Sequence, residues 1–256
     1  MSDKTHFGYQ SVDVNEKAAR VGAVFDSVAG KYDIMNDVMS AGMHRLWKDW
    51  YVWQTEVKPG ESVLDLAAGT GDISRRLAKK MRAPVAGGDV EGQLVVSDIN
   101  AAMLARGKAR LLDKGYLHNL SFVLANAEML PFADNSFDLV TMAFGLRNVT
   151  HKDKALHEIA RVLKPGGRVL VLEFSQPQSK TLGKLYDWYS FTLLPRMGAW
   201  IAKDSDSYQY LAESIRMHPD QETLKNMFID AGLVQCEYQN LHNGIVAIHK
   251  GIKPHA

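Results

Sequence analysis

One cysteine, Cys236, stands in the whole chain of 256 residues. That excludes an internal disulfide and a thiolate cage for a metal, and such cysteine use predicts a reducing, cytoplasmic compartment. Long apolar runs are also missing. Residues 169–172 form such a run, but Arg168 and Glu173 bracket it, and a membrane-crossing helix needs roughly 18 apolar residues. The first twenty residues are charged and hold no apolar signal-peptide core. Neither sign of charge dominates: thirty Lys and Arg face twenty-nine Asp and Glu. A dedicated nucleic-acid binder would carry a plain basic excess, so no nucleic-acid partner is expected. Repeats and low-complexity tracts are absent. What remains, with 46% apolar and 23% charged residues, is a chain able to build one large α/β core with extensions.

The order of elements carries the next step. The N-terminal segment reads as helical, with Asp13 and Glu16 spaced as a capping box before Ala18, Val21, Val24, Phe25 and Val28. A second amphipathic stretch, 44–57, presents Leu46, Trp47, Trp50, Tyr51 and Trp53 before Lys58-Pro59-Gly60 stops it. Strands and helices then alternate. Strands are expected at 62–67, 94–99, 120–124, 137–143 and 168–174, and helices at 72–81, from Asn100 to about 114, and at 153–163. This rhythm predicts a parallel sheet covered on both faces. Residues 233–241 and 244–250 alternate as two strands around Asn243-Gly244, a hairpin expected to add an antiparallel edge. The expected organisation is a single domain over 1–256. It comprises a helical cap at 1–58, a core at 62–175, a helical insertion at 181–217, and a last helix with the hairpin at 218–250.

Residues 63–72, Val-Leu-Asp-Leu-Ala-Ala-Gly-Thr-Gly-Asp, end a buried strand, turn tightly and start a helix. Gly69 and Gly71 let backbone approach a ligand that a Cβ would exclude, and Thr70 sits between them. The helix start aims unpaired N–H groups at the same place. A dinucleotide fingerprint needs a third glycine, but Ser74 holds that position. A phosphate-loop lysine is missing too. Asp65 at the strand end suits a cationic group, such as the ammonium of an amino acid. Asp98 closes the second strand and could accept both ribose hydroxyls of an adenosine, with a helix cap as the plainer reading. Its distance from Gly71 exceeds the usual roughly 20 residues, because the glycine-rich stretch 83–93 intervenes; Asp89 in that stretch is a rival acid. Asn126-Ala127 follows the third strand, where a short polar side chain and a backbone N–H could hold an adenine edge.

A glycine loop, a strand-end acid and an Asx-small pair, each after a successive strand, line one crevice. That combination resembles class I methyltransferases, which bind S-adenosylmethionine. The resemblance narrows through Lys31-Tyr32-Asp33, Met35-Asn36-Asp37, His44-Arg45-Leu46-Trp47-Lys48, residues 144–149 (Phe-Gly-Leu-Arg-Asn-Val), Leu172-Glu173-Phe174-Ser175 and residues 215–220 (Ile-Arg-Met-His-Pro-Asp). These blocks are similar to the ubiquinone/menaquinone biosynthesis C-methyltransferases and span almost the whole chain. The resemblance implies a Rossmann-like, seven-stranded, mostly parallel sheet with an antiparallel C-terminal hairpin, N-terminal helices and a helical insertion after strand five. It implies methyl transfer from S-adenosylmethionine, without a metal, to a ring carbon of a polyprenylated quinol. The product would lie on the menaquinone route, the ubiquinone route or both. Family cofactor contacts fall on Thr70, Asp98, Asn126 and Ala127. Two departures stand out: Ala143 replaces a serine common before Phe144, and 83–93 is an insertion.

A sulfonium methyl is already electrophilic, so the expected parts are alignment, exclusion of water and help for a quinol oxygen losing its proton. Arg147 and Asn148 follow strand four, and Tyr32, Asp33 and His44 come from the N-terminal cap. Arg147 is expected beside the transferring methyl, stabilising an oxyanion; Asn148 and Tyr32 join it as catalytic candidates. The aromatic stretch Tyr186, Trp188, Tyr189 and Phe191 reads either as simple core or as cover for an isoprenoid tail. A lipid substrate suggests peripheral contact with the inner membrane face, association with other quinone-biosynthesis enzymes, or a homo-oligomer. Two alternatives stay open: a methyltransferase for another acceptor, such as a sterol or phenol, and a non-catalytic adenosylmethionine-binding module.

Overall fold

In a computed structural model of the chain, residues 4–28, 37, 40, 42–81, 92–116, 118–179, 192 and 205–255 are described. Tyr32, Asp33, Asp89, the aromatic stretch 186–191 and most of the expected insertion lie outside them.

The chain opens differently from the helix expected. Strands β1 (Lys4–Phe7) and β2 (Gln10–Asp13) form a short antiparallel hairpin. Helix α1 (Val14–Val28) follows, and Asp13 starts it by accepting the Asn15 N–H at 2.9 Å. Helix α2 (His44–Gln54) buries Trp47, Lys48, Tyr51 and Val52. The other expected apolar members, Leu46, Trp50 and Trp53, stay exposed, and Trp50 stacks on Trp53.

From there the alternation holds. The elements are β3 (Ser62–Leu66), α3 (Asp72–Met81), β4 (Gln93–Asp98), α4 (Ala101–Asp113), β5 (Leu120–Leu124), β6 (Phe137–Ala143), α5 (Lys152–Val162) and β7 (Leu163–Phe174). Then come α6 (Ser205–Arg216), α7 (Gln221–Asp230), β8 (Val234–Leu241) and β9 (Val246–Ile252). Helix α3 shows why such segments are helical. Ile73, Leu77 and Ala78 form its buried stripe, Asp72 opens its first turn, and Lys79 and Lys80 close its last, matching the helix dipole.

Seven strands form one sheet in the order β5-β4-β3-β6-β7-β9-β8. Strands β3 to β7 are mutually parallel. The closing hairpin is antiparallel, as expected, and forms one end of the sheet. Strand β9 lies inside, antiparallel to both β7 and β8, so the edge strand β8 runs with the rest. Successive residues serve opposite cores, as a pleated strand requires. Val63, Val96, Leu139 and Leu170 pack with Trp47, Tyr51 and Leu77 on one face. Leu64, Val95, Val140 and Val171 pack with Leu156, Ile159 and Phe228 on the other. Between β3 and β6 the chain reverses its direction of travel across the sheet, and ligands of open α/β sheets bind outside the strand ends at such a point.

Candidate active site

A cleft opens at that point, enclosing about 910 Å³ with its solvent-open mouth included. Its floor comes from Ala67 and Gly69 after β3, Asp98 at the end of β4, Asn126 and Ala127 after β5, and Phe144, Gly145 and Asn148 after β6. Helix α1 roofs it with Ala18, Val21, Gly22 and Phe25, a stripe at helical spacing. A second, smaller chamber is lined by Lys48, Asp65, Thr70, Asp72, Ala143 and Phe144, among others. Ala67 and Phe144 line both. Both also hold left-handed backbone, at φ 51° and 57°. Such strain in non-glycine residues persists only where the surroundings enforce it, and it gathers at functional sites.

The cofactor candidates are brought together, though with different tasks. Asp98 accepts the Gly69 N–H and the Asn100 N–H, each at 2.8 Å. It thereby fixes the glycine loop while its carboxylate lines the cleft. Burial raises its pKa, and these backbone donors pull the other way. The helix cap is Asn100, whose side chain accepts the Met103 N–H; this sets aside the capping reading of Asp98. Asn126 accepts the Glu128 N–H at 3.0 Å. Glu128 accepts the N–H groups of Thr150 and His151, which ties two walls of the cleft.

Gly69 lines the cleft, but Gly71 does not. A Cβ on Gly71 would meet the Leu111 side chain and the Gly107 backbone at 3.3–3.5 Å, and its φ is +74°. The positive φ of the turn and the close contact with α4 each call for glycine here. Thr70 and Asp65 belong to the smaller chamber. Both Asp65 oxygens are engaged, one by the Ser74 hydroxyl at 2.5 Å and the other by the Thr141 hydroxyl at 2.8 Å. Complete burial nevertheless raises its pKa to about 7.

Arg147 is where the expectation departs most from the structure. It was expected beside the transferring methyl, yet it does not line the cleft. It is 4% exposed and pairs at 2.6 Å with Glu173, itself 1% exposed. The same nitrogen donates to the Phe144 carbonyl at 2.6 Å, and the guanidinium lies 5.6 Å from the centre of the Phe174 ring. A guanidinium in this setting braces the turn after β6. Asn148, next in sequence, does line the cleft. Its Oδ1 accepts the Tyr210 hydroxyl at 3.0 Å, so its amide N–H₂ is the group left to face a ligand. Burial pushes Tyr210 up to about 12, keeping it a donor. Glu173 and Tyr210 had no assigned role in the sequence; only strand pairing and the packing of α6 bring them here. Lys48, ion-paired to Asp72 at 3.0 Å in the smaller chamber, is a third such addition. Among the described residues no three His, Cys, Asp or Glu side chains stand close enough to hold a metal ion. No described helix is long and apolar enough to cross a membrane.

The sheet order, the switch-point cleft and the acid at the second strand end define the class: an α/β methyltransferase of the adenosylmethionine-dependent type. Solved structures share the fold. A SAM-dependent methyltransferase from Thermotoga maritima superposes with a TM-score of 0.63 at 17% identity, covering 90% of this chain and 98% of that one. Another, from Aquifex aeolicus, gives 0.57 at 16% identity, covering 80% and 89%. Within the class, the chain belongs to the ubiE/COQ5 methyltransferase family, whose model matches residues 12–253. The ubiquinone/menaquinone biosynthesis C-methyltransferase UbiE of Hahella chejuensis is 57% identical over 251 residues, 98% of each chain. The protein of the same name from Pseudomonas aeruginosa PAO1 is 58% identical over 250 residues, 98% of this chain and 95% of that one.

Proposed function

We propose that the chain transfers the methyl group of S-adenosylmethionine to a ring carbon of a polyprenylated quinol in menaquinone synthesis, ubiquinone synthesis or both. The observation that carries this reading is the pair of adjacent chambers at the switch point, sharing Ala67 and Phe144 as walls, within a chain so similar along its length to proteins named for that chemistry. The donor set fits the cofactor. Asp98 offers its carboxylate to a ribose diol, Asn126 and Ala127 line the cleft where an adenine edge would lie, and Asp65, Thr70 and Lys48 bring to the smaller chamber the polar groups that an amino acid would use. When bound, the cofactor supplies an electrophilic methyl. The chain's part is to hold it, exclude water under α1, and present the acceptor ring with an N–H donor from Asn148 to its oxygen. Arg147, through Glu173 and Phe144, acts as a positioning residue for that turn. Tyr32 keeps its place as a catalytic candidate from the sequence, and a polyprenyl tail makes peripheral membrane contact the natural route of substrate entry.

The test is incubation of the purified chain with S-adenosylmethionine and a short-chain demethylated quinol, with the product identified by mass spectrometry. A gain of one methyl on the ring is expected. Asp98→Ala should weaken cofactor affinity about 10- to 150-fold, the size of roughly 1.5–3 kcal/mol for bonds to a charged acceptor. Absence of methylation on either quinol type, with the cofactor bound, would overturn the substrate reading.

A further inference from the structure

Asn148 lines the cleft, and its amide can present either of two opposite groups, a carbonyl oxygen that accepts or an N–H₂ that donates. An acceptor ring whose hydroxyl oxygen gains negative charge needs the donor. Rotation about one bond exchanges the two, so some group of the chain has to choose between them.

The geometry points to Tyr210, stacked on Phe7 of the N-terminal hairpin, as the positioning residue that turns the N–H₂ of Asn148 toward the acceptor oxygen. The assignment deepens, and rests on, the quinol methylation proposed above. The Tyr210 hydroxyl lies 3.0 Å from Asn148 Oδ1. Tyr210 is 4% exposed, and its hydroxyl has no second acceptor among the described residues. Leaving a buried donor unpaired costs about 1–3 kcal/mol, so the hydrogen goes to Oδ1. The backbone of Asn148 is fixed as well, its N–H donating to the Gly145 carbonyl at 3.1 Å. An amide is planar. Once Oδ1 is held toward α6, the nitrogen is turned to the opposite side.

The hairpin is what fixes Tyr210. The Phe7 and Tyr210 ring centres lie 4.2 Å apart, with 18° between their planes. One turn further along α6, Glu213 grips the bend of the hairpin: its Oε2 accepts the Tyr9 N–H at 3.0 Å, and its Oε1 accepts the Gln209 amide at 2.8 Å. Gly8 holds φ +58° there, and a Cβ on it would overlap the Glu213 carboxylate. Strands β1 and β2 pair only with each other, and a lone two-stranded hairpin is marginal in water. Its seat on α6 therefore carries it, and that seat puts Phe7 behind the ring whose hydroxyl reaches Asn148. Packing alone would need only the ring, which phenylalanine supplies equally.

Steady-state methylation of the short-chain demethylated quinol, by the full chain saturated with cofactor, tests this. Asn148→Ala should lose about 10²-fold in kcat, the size of one oxyanion donor. Tyr210→Phe keeps the ring and the stack. It should lose about 3- to 10-fold in kcat, the worth of one hydrogen bond, with KM for the quinol and affinity for the cofactor within about twofold of the parent. In the double variant Tyr210→Phe should add nothing to Asn148→Ala, because no amide is left to turn. An unchanged kcat in Tyr210→Phe would overturn the assignment. So would two losses that multiply in the double variant, since Tyr210 would then act on something other than Asn148.

A second reading needs no turnover. The side-chain amide signal of Asn148 in nitrogen–proton NMR of the cofactor-free chain, assigned by its absence in Asn148→Ala, should move in Tyr210→Phe; an unmoved signal would overturn the hydrogen bond. Should Tyr210→Phe fail to fold, Phe7→Leu removes the stack, leaves the hydroxyl and carries both measurements. Its kcat is expected to fall about 2- to 5-fold, and a parent kcat with a parent signal would overturn the role of the hairpin. A parent chain that binds the cofactor but methylates neither quinol fails the proposed function itself, and the NMR result then still decides how the amide is held.

Discussion

Arg147 and Glu173 are both buried, so removing the guanidinium strands a carboxylate in the interior. Losing one partner of a buried pair costs about 3–5 kcal/mol, whereas replacing both can be nearly neutral. Arg147→Ala is therefore expected to lower the urea midpoint sharply and turnover with it, and Arg147→Met with Glu173→Leu should recover most of the stability. A single variant as stable as the parent would show that the pair braces nothing. Asp65 offers a second residue-scale test. Its pKa is raised to about 7 by burial, so the folded chain keeps a proton there that an unfolded carboxyl has already lost. The sign follows: this residue's contribution to stability falls as pH rises from about 4 to 7. A cationic ligand nearby favours the ionised form and expels the proton. Titration calorimetry near pH 6, in buffers of differing ionisation enthalpy, should register release of about one proton per S-adenosylmethionine bound, fading above about pH 8. Equal heats in all buffers would separate Asp65 from the ligand.

Loops between elements made the site legible in part. Gly69, Asn126 and Ala127 follow strands and Asp98 ends one, and a parallel sheet brings such strand ends to one side; their place needed no knowledge of packing. For Gly71 the sequence leaves the contact with α4 hidden, because a turn glycine looks the same whether ligand or helix lies opposite. The partner helix is α4, where a Cβ on Gly107 would meet the Gly69 carbonyl at 2.8 Å and the Gly71 nitrogen at 3.2 Å. Two glycines so far apart in sequence give no local sign of touching. The burial of Arg147 is illegible in the sequence for the same reason: Glu173 reaches it only because Ala143 pairs with Leu172 in the sheet. The hairpin of β1 and β2 escaped notice because four-residue strands are too short for a pattern. Gly107→Ala follows from this contact. The glycine loop must shift by several tenths of an ångström, so cofactor affinity should fall about tenfold while α4, gaining alanine, keeps its helicity. Equilibrium binding beside far-ultraviolet circular dichroism checks it, and unchanged affinity would mean that the loop yields freely.

At the scale of the whole molecule, the question is what holds the N-terminal helices, with the cleft roof, against the sheet. Apolar contact is one answer: Trp47, Tyr51 and Val52 join the core on that face. Tyr51 adds a directional tie. It is fully buried, and its hydroxyl donates to the Leu170 carbonyl at 2.6 Å while accepting the Met142 N–H at 3.1 Å. Those main-chain groups belong to β7 and β6, neighbours at the centre of the sheet, so one side chain of α2 fastens both. Burial raises the Tyr51 pKa well above the usual phenol value, with the Asp65 carboxylate adding to the rise; the donor is therefore kept at any working pH. Tyr51→Phe retains the ring and its packing but removes both bonds from α2 to the main chain of the sheet. The expected loss is about 1–3 kcal/mol. Three tryptophans of α2 (Trp47, Trp50 and Trp53) report on that helix, and circular dichroism reports on the whole. If the tie couples cap to sheet, fluorescence and dichroism midpoints in urea should fall together in the variant, with the slope unchanged. A fluorescence midpoint that falls alone would mean that α2 detaches before the sheet unfolds, and the cleft would then lose its roof while the core still stands.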